Sequence, residues 1–245
     1  MKKIDSTRKN EKITGAFFIA ATSTAIIAVI LYNPVLQDSN PLGAAANAAT
    51  RVSLGALFDL LLAISNIGTG IMLYPQLKRF SESWGLGYAL FRLLEVVFIL
   101  MGVASMLAIV SLGRASVTMT GDELVSAQSG AGILKTMYAW CFILGPHFML
   151  GVNTFIYSSI FFQSRLVPRR LSSFGILGAV MIFSGAVLEI IGIIPHFSPK
   201  IMLLALPIAT YEMVLAGWLI TRGFKRASQH PSDTFLSQTP HFQHQ

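Results

Sequence analysis

Charge is what this 245-residue chain has least of. Asp, Glu, Lys and Arg make up 12% of it, about half the roughly 25% of an ordinary soluble domain. So few charges could not cover the surface of a water-soluble globule of this size. Apolar residues reach 53% and the mean hydropathy is +0.64, which places the chain in a bilayer. Cysteine is also nearly absent. The single Cys141 lies in an apolar run, which excludes an internal disulfide and a cysteine-based metal centre; it reads as a small packing residue. Hydrolytic and phosphate-binding signatures are missing too: the chain has no His-Glu-x-x-His, no Gly-x-Ser-x-Gly and no P-loop. Gly68-Thr69-Gly70 is too short to cradle a phosphate and reads as close helix packing. Ser65, Ser105 and Ser184 accompany His147, but serine is ordinary in membrane helices, so an intramembrane enzyme is the least favoured reading. The net charge of +7 is not a nucleic-acid footprint, because the basic residues gather beside helix ends, where they set topology and meet anionic lipid heads.

What is present is a series of long apolar runs. A basic segment, 1–12, precedes Ile13–Tyr32, whose 20 residues suffice to cross a bilayer. The run is too long for a typical signal-peptide core, and Ala44-Ala45-Ala46 lies far beyond it, so an uncleaved first helix is expected. Pro34 and Pro41 are expected to break the chain. Further spans are expected at 51–74, 87–112, 134–162, 171–194 and 200–221. Thr120 and Glu123 have capping-box spacing, which predicts a short surface helix over Gly121–Ser129. Gly145-Pro146 predicts a kink in the fourth span. The segment Pro195–Pro199 can only be a tight hairpin loop. From Ala227 the tail is polar and expected to be disordered; its His230, His241 and His244 read as a solvated tail rather than a metal site. Thirteen Lys and Arg residues fall on the side of the two termini and four on the other, with Arg92 inside the membrane. That split predicts cytoplasmic termini. The expected architecture is therefore all-α: a polytopic membrane protein with six transmembrane helices in one bundle, spanning 13–226.

Each apolar run after the first carries an ionisable residue, which is costly in hydrocarbon and needs a partner or a task. Residues three, four and seven apart share a helix face, and small residues mark faces that meet other helices. Asp59 shares its face with Gly55, Ala63, Asn66 and Gly70. Arg92 and Glu95 align with Tyr88 and Gly102; His147 aligns with Gly151, Thr154 and Ser158. Glu189 sits among Gly178, Gly185 and Gly192, and Glu212 among Ala205, Ala209 and Ala216. All of these groups should point inward. Counting from span centres puts Glu212 and His147 near the midplane, Asp59 and Glu189 toward the outer face, and Arg92 and Glu95 toward the cytoplasm. This predicts a ladder along the membrane normal. Arg92 and Glu95, three apart, form a candidate ion pair or gate. Glu212, Asp59, Glu189 and His147 form a candidate interior charge or ion site. Its acids are either neutral and hydrogen-bonded to Asn66, Thr210, Tyr211 or backbone, or they bind a cation or relay protons. No catalytic residue, metal or cofactor is expected.

Several short motifs recur in order: Ile13-Thr14-Gly15-Ala16, Arg92-Leu93-Leu94-Glu95, Arg165-Leu166-Val167-Pro168-Arg169-Arg170-Leu171, Phe174-Gly175-Ile176-Leu177-Gly178, Leu206-Pro207, Tyr211-Glu212, Gly217-Trp218-Leu219-Ile220 and Gly223-Phe224. Together they resemble the bacterial multi-pass membrane proteins catalogued as domain of unknown function 4386. The usual Pro-Arg-Trp-Leu-Gly turn is Pro168-Arg169-Arg170-Leu171-Ser172 here. The resemblance implies a multi-pass protein of a bacterial cell membrane and no activity; its signature residues include Arg92, Glu95 and Glu212. The expectation is thus a protein with a polar interior that translocates a proton, a cation or a small solute. The alternative is a non-enzymatic scaffold or regulator whose buried charges are structural. The expected partners are the lipid bilayer, a cation or small solute, and further copies of the chain; nucleic acid is not among them.

Overall fold

The computed structural model describes residues 2–225, with side chains from Arg8 onward. The tail from Ala227, with His230, His241 and His244, lies outside the described residues. Among the described residues there is no strand. The helices are α1 (Lys2–Gln37), α2 (Pro41–Asn47), α3 (Ala49–Leu77), α4 (Glu82–Ala115), α5 (Gly121–Phe142), α6 (Leu150–Ser164), α7 (Arg169–Ile190) and α8 (Pro199–Thr221). A π-helical segment, Ile143–Met149, joins α5 to α6 without a break. Six stretches are long and apolar enough to cross a membrane: α1, α3, α4, the α5–α6 continuum, α7 and α8.

Lipid-facing and interior faces separate by helical periodicity. On α3, Leu57, Ile64 and Ile71 are seven apart and are 56%, 59% and 61% exposed. The opposite stripe of Gly55, Asp59, Ala63, Asn66 and Gly70 is buried. Such apolar exposure on every long helix would be untenable in water and is the surface that hydrocarbon covers. Each span packs on its neighbours in the chain, and α8 closes on α1, so the six spans form a ring around a shared interior. Gly15 permits that closure, since a Cβ there would lie 2.7 Å from Ile220 and 2.8 Å from the Ala216 carbonyl. Gly178 lets α7 touch the α8 backbone at Ile208, 3.0 Å from where its Cβ would be. The end of the ring nearest the termini is filled by Phe18, Tyr88, Tyr157, Phe161 and Tyr211 with Leu73, Leu77 and Leu215. Tyr157 is their hub, stacked on Tyr211 with centroids 6.0 Å apart and edge-on to Tyr88 at 5.7 Å.

The structure departs from expectation in four places. Pro34 does not break α1, which continues to Gln37. Proline cannot donate to the carbonyl four residues back, but that carbonyl, on Ile30, accepts a 2.9 Å hydrogen bond from Arg51 Nη2 of α3. A side chain from a neighbouring helix replaces the missing donor, so the helix survives. Second, α2 is a helix of its own, separated from α3 at Ala48, and lies so close to α4 that a Cβ on Gly113 would sit 2.8 Å from the Ala46 nitrogen. Third, Gly121–Ser129 is no separate surface helix. It is the first turns of a helix that runs on to Ser164, and Thr120 makes no side-chain cap bond. Fourth, Gly192 does not belong to the glycine face of α7. The helix stops at Ile190, and Gly192 takes a left-handed φ of +77°. Its N–H bonds the Glu189 carbonyl and the Ile193 N–H bonds Leu188, which is a Schellman stop.

The two ends of the chain are tied together. Arg8 on α1 donates to the last carbonyls of α8, on Leu219, Ile220 and Thr221, at 3.0, 2.8 and 2.7 Å. Gly223, at φ +73°, turns the chain so that the Phe224 N–H reaches Glu11. A cation on the free carbonyls of a helix C-terminus also suits the helix dipole.

Candidate functional site

The interior polar groups fall into two tiers. At 1.5 Å per residue, measured from the helix ends nearest the termini, Glu212 is about 14 Å in and Arg92 about 15 Å. His147, Asp59 and Glu189 lie about 26, 27 and 30 Å in. The expected ladder is therefore two rungs, and His147 is not level with Glu212. Span centres mislead because the helices are unequal in length: 17 residues separate His147 from its helix end at Ser164, against nine between Glu212 and the end of α8 at Thr221.

The nearer tier is centred on Glu95, which is 3% exposed. Its Oε2 accepts from Arg92 Nη1 at 2.9 Å and from Asn153 Nδ2 at 2.7 Å; its Oε1 accepts from Asn66 Nδ2 at 2.9 Å. Three helices thus converge on one carboxylate. Glu212 joins from α8, with Oε1 4.0 Å from Arg92 Nη2 and Oε2 accepting from Thr22 Oγ1 of α1 at 3.1 Å. Arg92 is 2% exposed and its guanidinium carbon lies 5.9 Å from the Tyr88 ring centre. A buried cation held between two acids and an aromatic face is well compensated.

The farther tier is a separate pair. His147 Nδ1 meets Glu189 Oε2 at 2.7 Å, and His196 Nδ1 lies 3.7 Å from Glu189 Oε1. The π segment sets the position of His147. Pro146 removes a donor within it, and Gly145 packs on α4, where a Cβ would lie 2.8 Å from Phe98 and 3.2 Å from the Glu95 carbonyl. Because Nδ1 is taken, Nε2 is the ring nitrogen left without a partner among the described residues. Asp59 stands apart. It is 8% exposed, and among the described residues it forms no hydrogen bond or ion pair. The Tyr32 hydroxyl lies beside it and has no other partner among the described residues.

A cavity of about 580 Å³ joins the tiers, a size typical of small-molecule sites. Asp59, His147, Glu212, Arg92 and Glu95 all line it; Glu189 does not and sits behind His147. The walls are chiefly apolar. Its lining includes Ile26 and Ile30 of α1 and Met202 and Leu206 of α8, which are 54%, 57%, 64% and 58% exposed. The cavity therefore reaches the surface between α1 and α8, on the side away from the termini. Toward the termini it ends on Glu212, Thr22 and Arg92, beyond which the aromatic core begins. Among the described residues no group of three or more His, Cys, Asp or Glu is placed to hold a metal ion.

Sequence reasoning placed every candidate acid inside but missed Thr22, Asn153, Arg51 and His196. Neutral polar residues are common in membrane helices, and only the convergence of Asn66 and Asn153 on Glu95 distinguishes them. Thr210, a suggested partner for the acids, is exposed, and Tyr211 bonds Ser158 at 2.9 Å instead.

No curated protein and no solved structure matches the chain. One family model, described as Domain of unknown function (DUF4386), matches residues 13–223, which takes in all six spans and both polar tiers. The chain is an integral, multi-pass membrane protein, and it belongs to the DUF4386 family.

Proposed function

We propose that the protein translocates a cation, a proton or a small solute across the cell membrane, using its interior cavity as the loading site and Glu212 as the group that carries or exchanges charge. The observation that carries this reading is the floor of the cavity. Glu212 lies at the inner end of an open space; among the described residues its one hydrogen bond is from Thr22, and it is held 4.0 Å from Arg92. An acid loosely paired to its cation can exchange that partner for an incoming charge. Glu95, with three close donors, cannot do so cheaply and acts as the brace that fixes Arg92. The excess of Lys and Arg at the end bearing the termini supports an orientation with that end in the cytoplasm. In that orientation the cavity opens in the outer half of the bundle, between α1 and α8 and beside the exposed Asn33 and Gln37 near the outer end of α1, and is closed inward by the aromatic core. Passage then needs the Tyr157–Tyr211 stack and the Arg8 tie between α1 and α8 to part.

The test is flux in reconstituted vesicles. A potential is imposed across proteoliposomes, with a pH-sensitive dye or a labelled cation reporting uptake. Wild type should exceed protein-free vesicles, and Glu212→Gln should abolish the excess while remaining monodisperse with an unchanged helical spectrum. Equal flux from the folded variant would refute the role of Glu212. The second reading, a scaffold whose charges are structural, is favoured by the full satisfaction of Glu95; it would be upheld if Glu212→Gln failed to fold and wild type carried no flux.

A further inference from the structure

We propose that the occupant of the cavity is a lipophilic organic cation, an ammonium or phosphonium-like group on an apolar body, which enters sideways from the bilayer between α1 and α8 and is held by Asp59. The inference rests on the reading of the cavity as a ligand site and names what that site takes.

Charge sets the sign. Five charged groups line the cavity: Arg51, Asp59, Arg92, Glu95 and Glu212, with His147 also present. Arg92 is paired with Glu95; Arg51 gives one N–H to the neutral Ile30 carbonyl and keeps its charge, so three acids face two cations and the lining is negative by one. Glu212 retains Thr22 and a distant Arg92. Asp59 alone has no cation or close basic group against it among the described residues, only the Tyr32 hydroxyl, although it is more than nine-tenths buried. A lone acid in a low-dielectric wall is a standing cost unless something positive arrives. An anion would meet an excess of acids, and a neutral solute would leave Asp59 without a counter-charge.

The walls set the shape. A small inorganic cation needs several oxygen ligands to replace its water, and among the described residues no three of His, Cys, Asp and Glu gather at one point, so such an ion would find at most two carboxylates together. Rings are what the cavity offers. Tyr138, Phe142 and Phe197 line one corner, with centroid separations of 5.3 to 6.1 Å. Tyr138 also stands edge-on to Tyr32, beside Asp59, at 5.3 Å. Aromatic faces next to a carboxylate bind diffuse organic cations, whose weak hydration makes them easy to strip. The opening suits the same chemistry. Its lips are the exposed Ile26, Ile30, Met202 and Leu206, which face hydrocarbon, so a solute already dissolved in the bilayer reaches them first.

Two isosteric ions of opposite charge test the idea on the full chain in lipid nanodiscs. Tetraphenylphosphonium should bind saturably, one per protein, above the partitioning seen in empty discs; tetraphenylborate should not. Asp59→Asn should weaken the phosphonium by about tenfold or more. Ala205→Trp, which fills the cavity from α8 without touching a charge, should remove binding. Phosphonium uptake no greater than in empty discs, equal binding of the borate, or wild-type affinity in Asp59→Asn would each overturn the proposal, and the wild-type comparison stands even if a variant misfolds. The vesicle experiment separates this proposal from the function it rests on. Glu212-dependent proton flux without phosphonium binding sinks the lipophilic cation and leaves translocation. Asp59-dependent binding without Glu212-dependent flux leaves the ligand site and sinks translocation.

Discussion

Removing the charge of Glu95 should be the most damaging single change in the interior, and the structure says roughly by how much. Glu95→Gln keeps the side-chain shape but leaves Arg92, 2% exposed, with a single carboxylate 4.0 Å away. Breaking a buried ion pair by neutralising one partner costs about 3–5 kcal/mol. Hydrogen bonds between membrane helices average only about 0.6 kcal/mol, and the Gln oxygen can still accept from Asn66 or Asn153, so the amides add little. Partial compensation by Glu212 puts the expected loss at the lower end, about 3 kcal/mol. Arg92→Met combined with Glu95→Gln removes both charges from the pair. That double variant should recover at least half of the loss, because apolar replacement of a buried pair is often near neutral, and it should stop short of wild type because Glu212 loses its cation 4.0 Å away. The assay is reversible unfolding in mixed micelles, followed by the fluorescence of Trp84, Trp140 and Trp218. A loss below about 1 kcal/mol for Glu95→Gln, or a double variant no better than the single one, would refute the view that Arg92 depends on Glu95.

Two further predictions concern the helices that bound the cavity. Arg51→Met should destabilise by about 1–3 kcal/mol by orphaning the Ile30 carbonyl, and the loss should shrink in a Pro34→Ala background, where residue 34 again donates to that carbonyl; the same unfolding assay gives the coupling, and equal losses in both backgrounds would contradict it. Arg8→Ala should loosen the last turn of α8 by about 1–2 kcal/mol, read as faster hydrogen exchange confined to residues 217–221, and unchanged exchange would show that the three carbonyl contacts contribute nothing.

The span pattern was legible because hydrocarbon imposes it: runs long enough to cross, and stripes of small residues around each charge. Asp59, Arg92, Glu95, Glu189 and Glu212 were placed on interior faces by spacing alone, and all are buried. The rest depends on contacts between helices that no local pattern carries. Pro34 stays helical because Arg51 sits within reach on α3. His147 pairs with Glu189 rather than standing level with Glu212, since its helix runs 17 residues on to Ser164 while α8 runs only nine beyond Glu212. Gly192 continues a seven-residue glycine series, yet its left-handed backbone ends the helix instead. The cavity was the least legible feature, because it arises where α1 and α8 part after their close contact at Gly15.

The central claim is an interior space that opens away from the termini and reaches the level of Glu212, and thiol access measures it. A cysteine at Ala209, one turn from Glu212 on the cavity wall, is placed in a Cys141→Ala background and exposed to a small membrane-impermeant thiol reagent in sealed vesicles of known orientation. Labelling is expected only from the face opposite the termini, and it should slow when tetraphenylphosphonium is present. Labelling from the face bearing the termini, or none from either side while the variant remains folded, would contradict it.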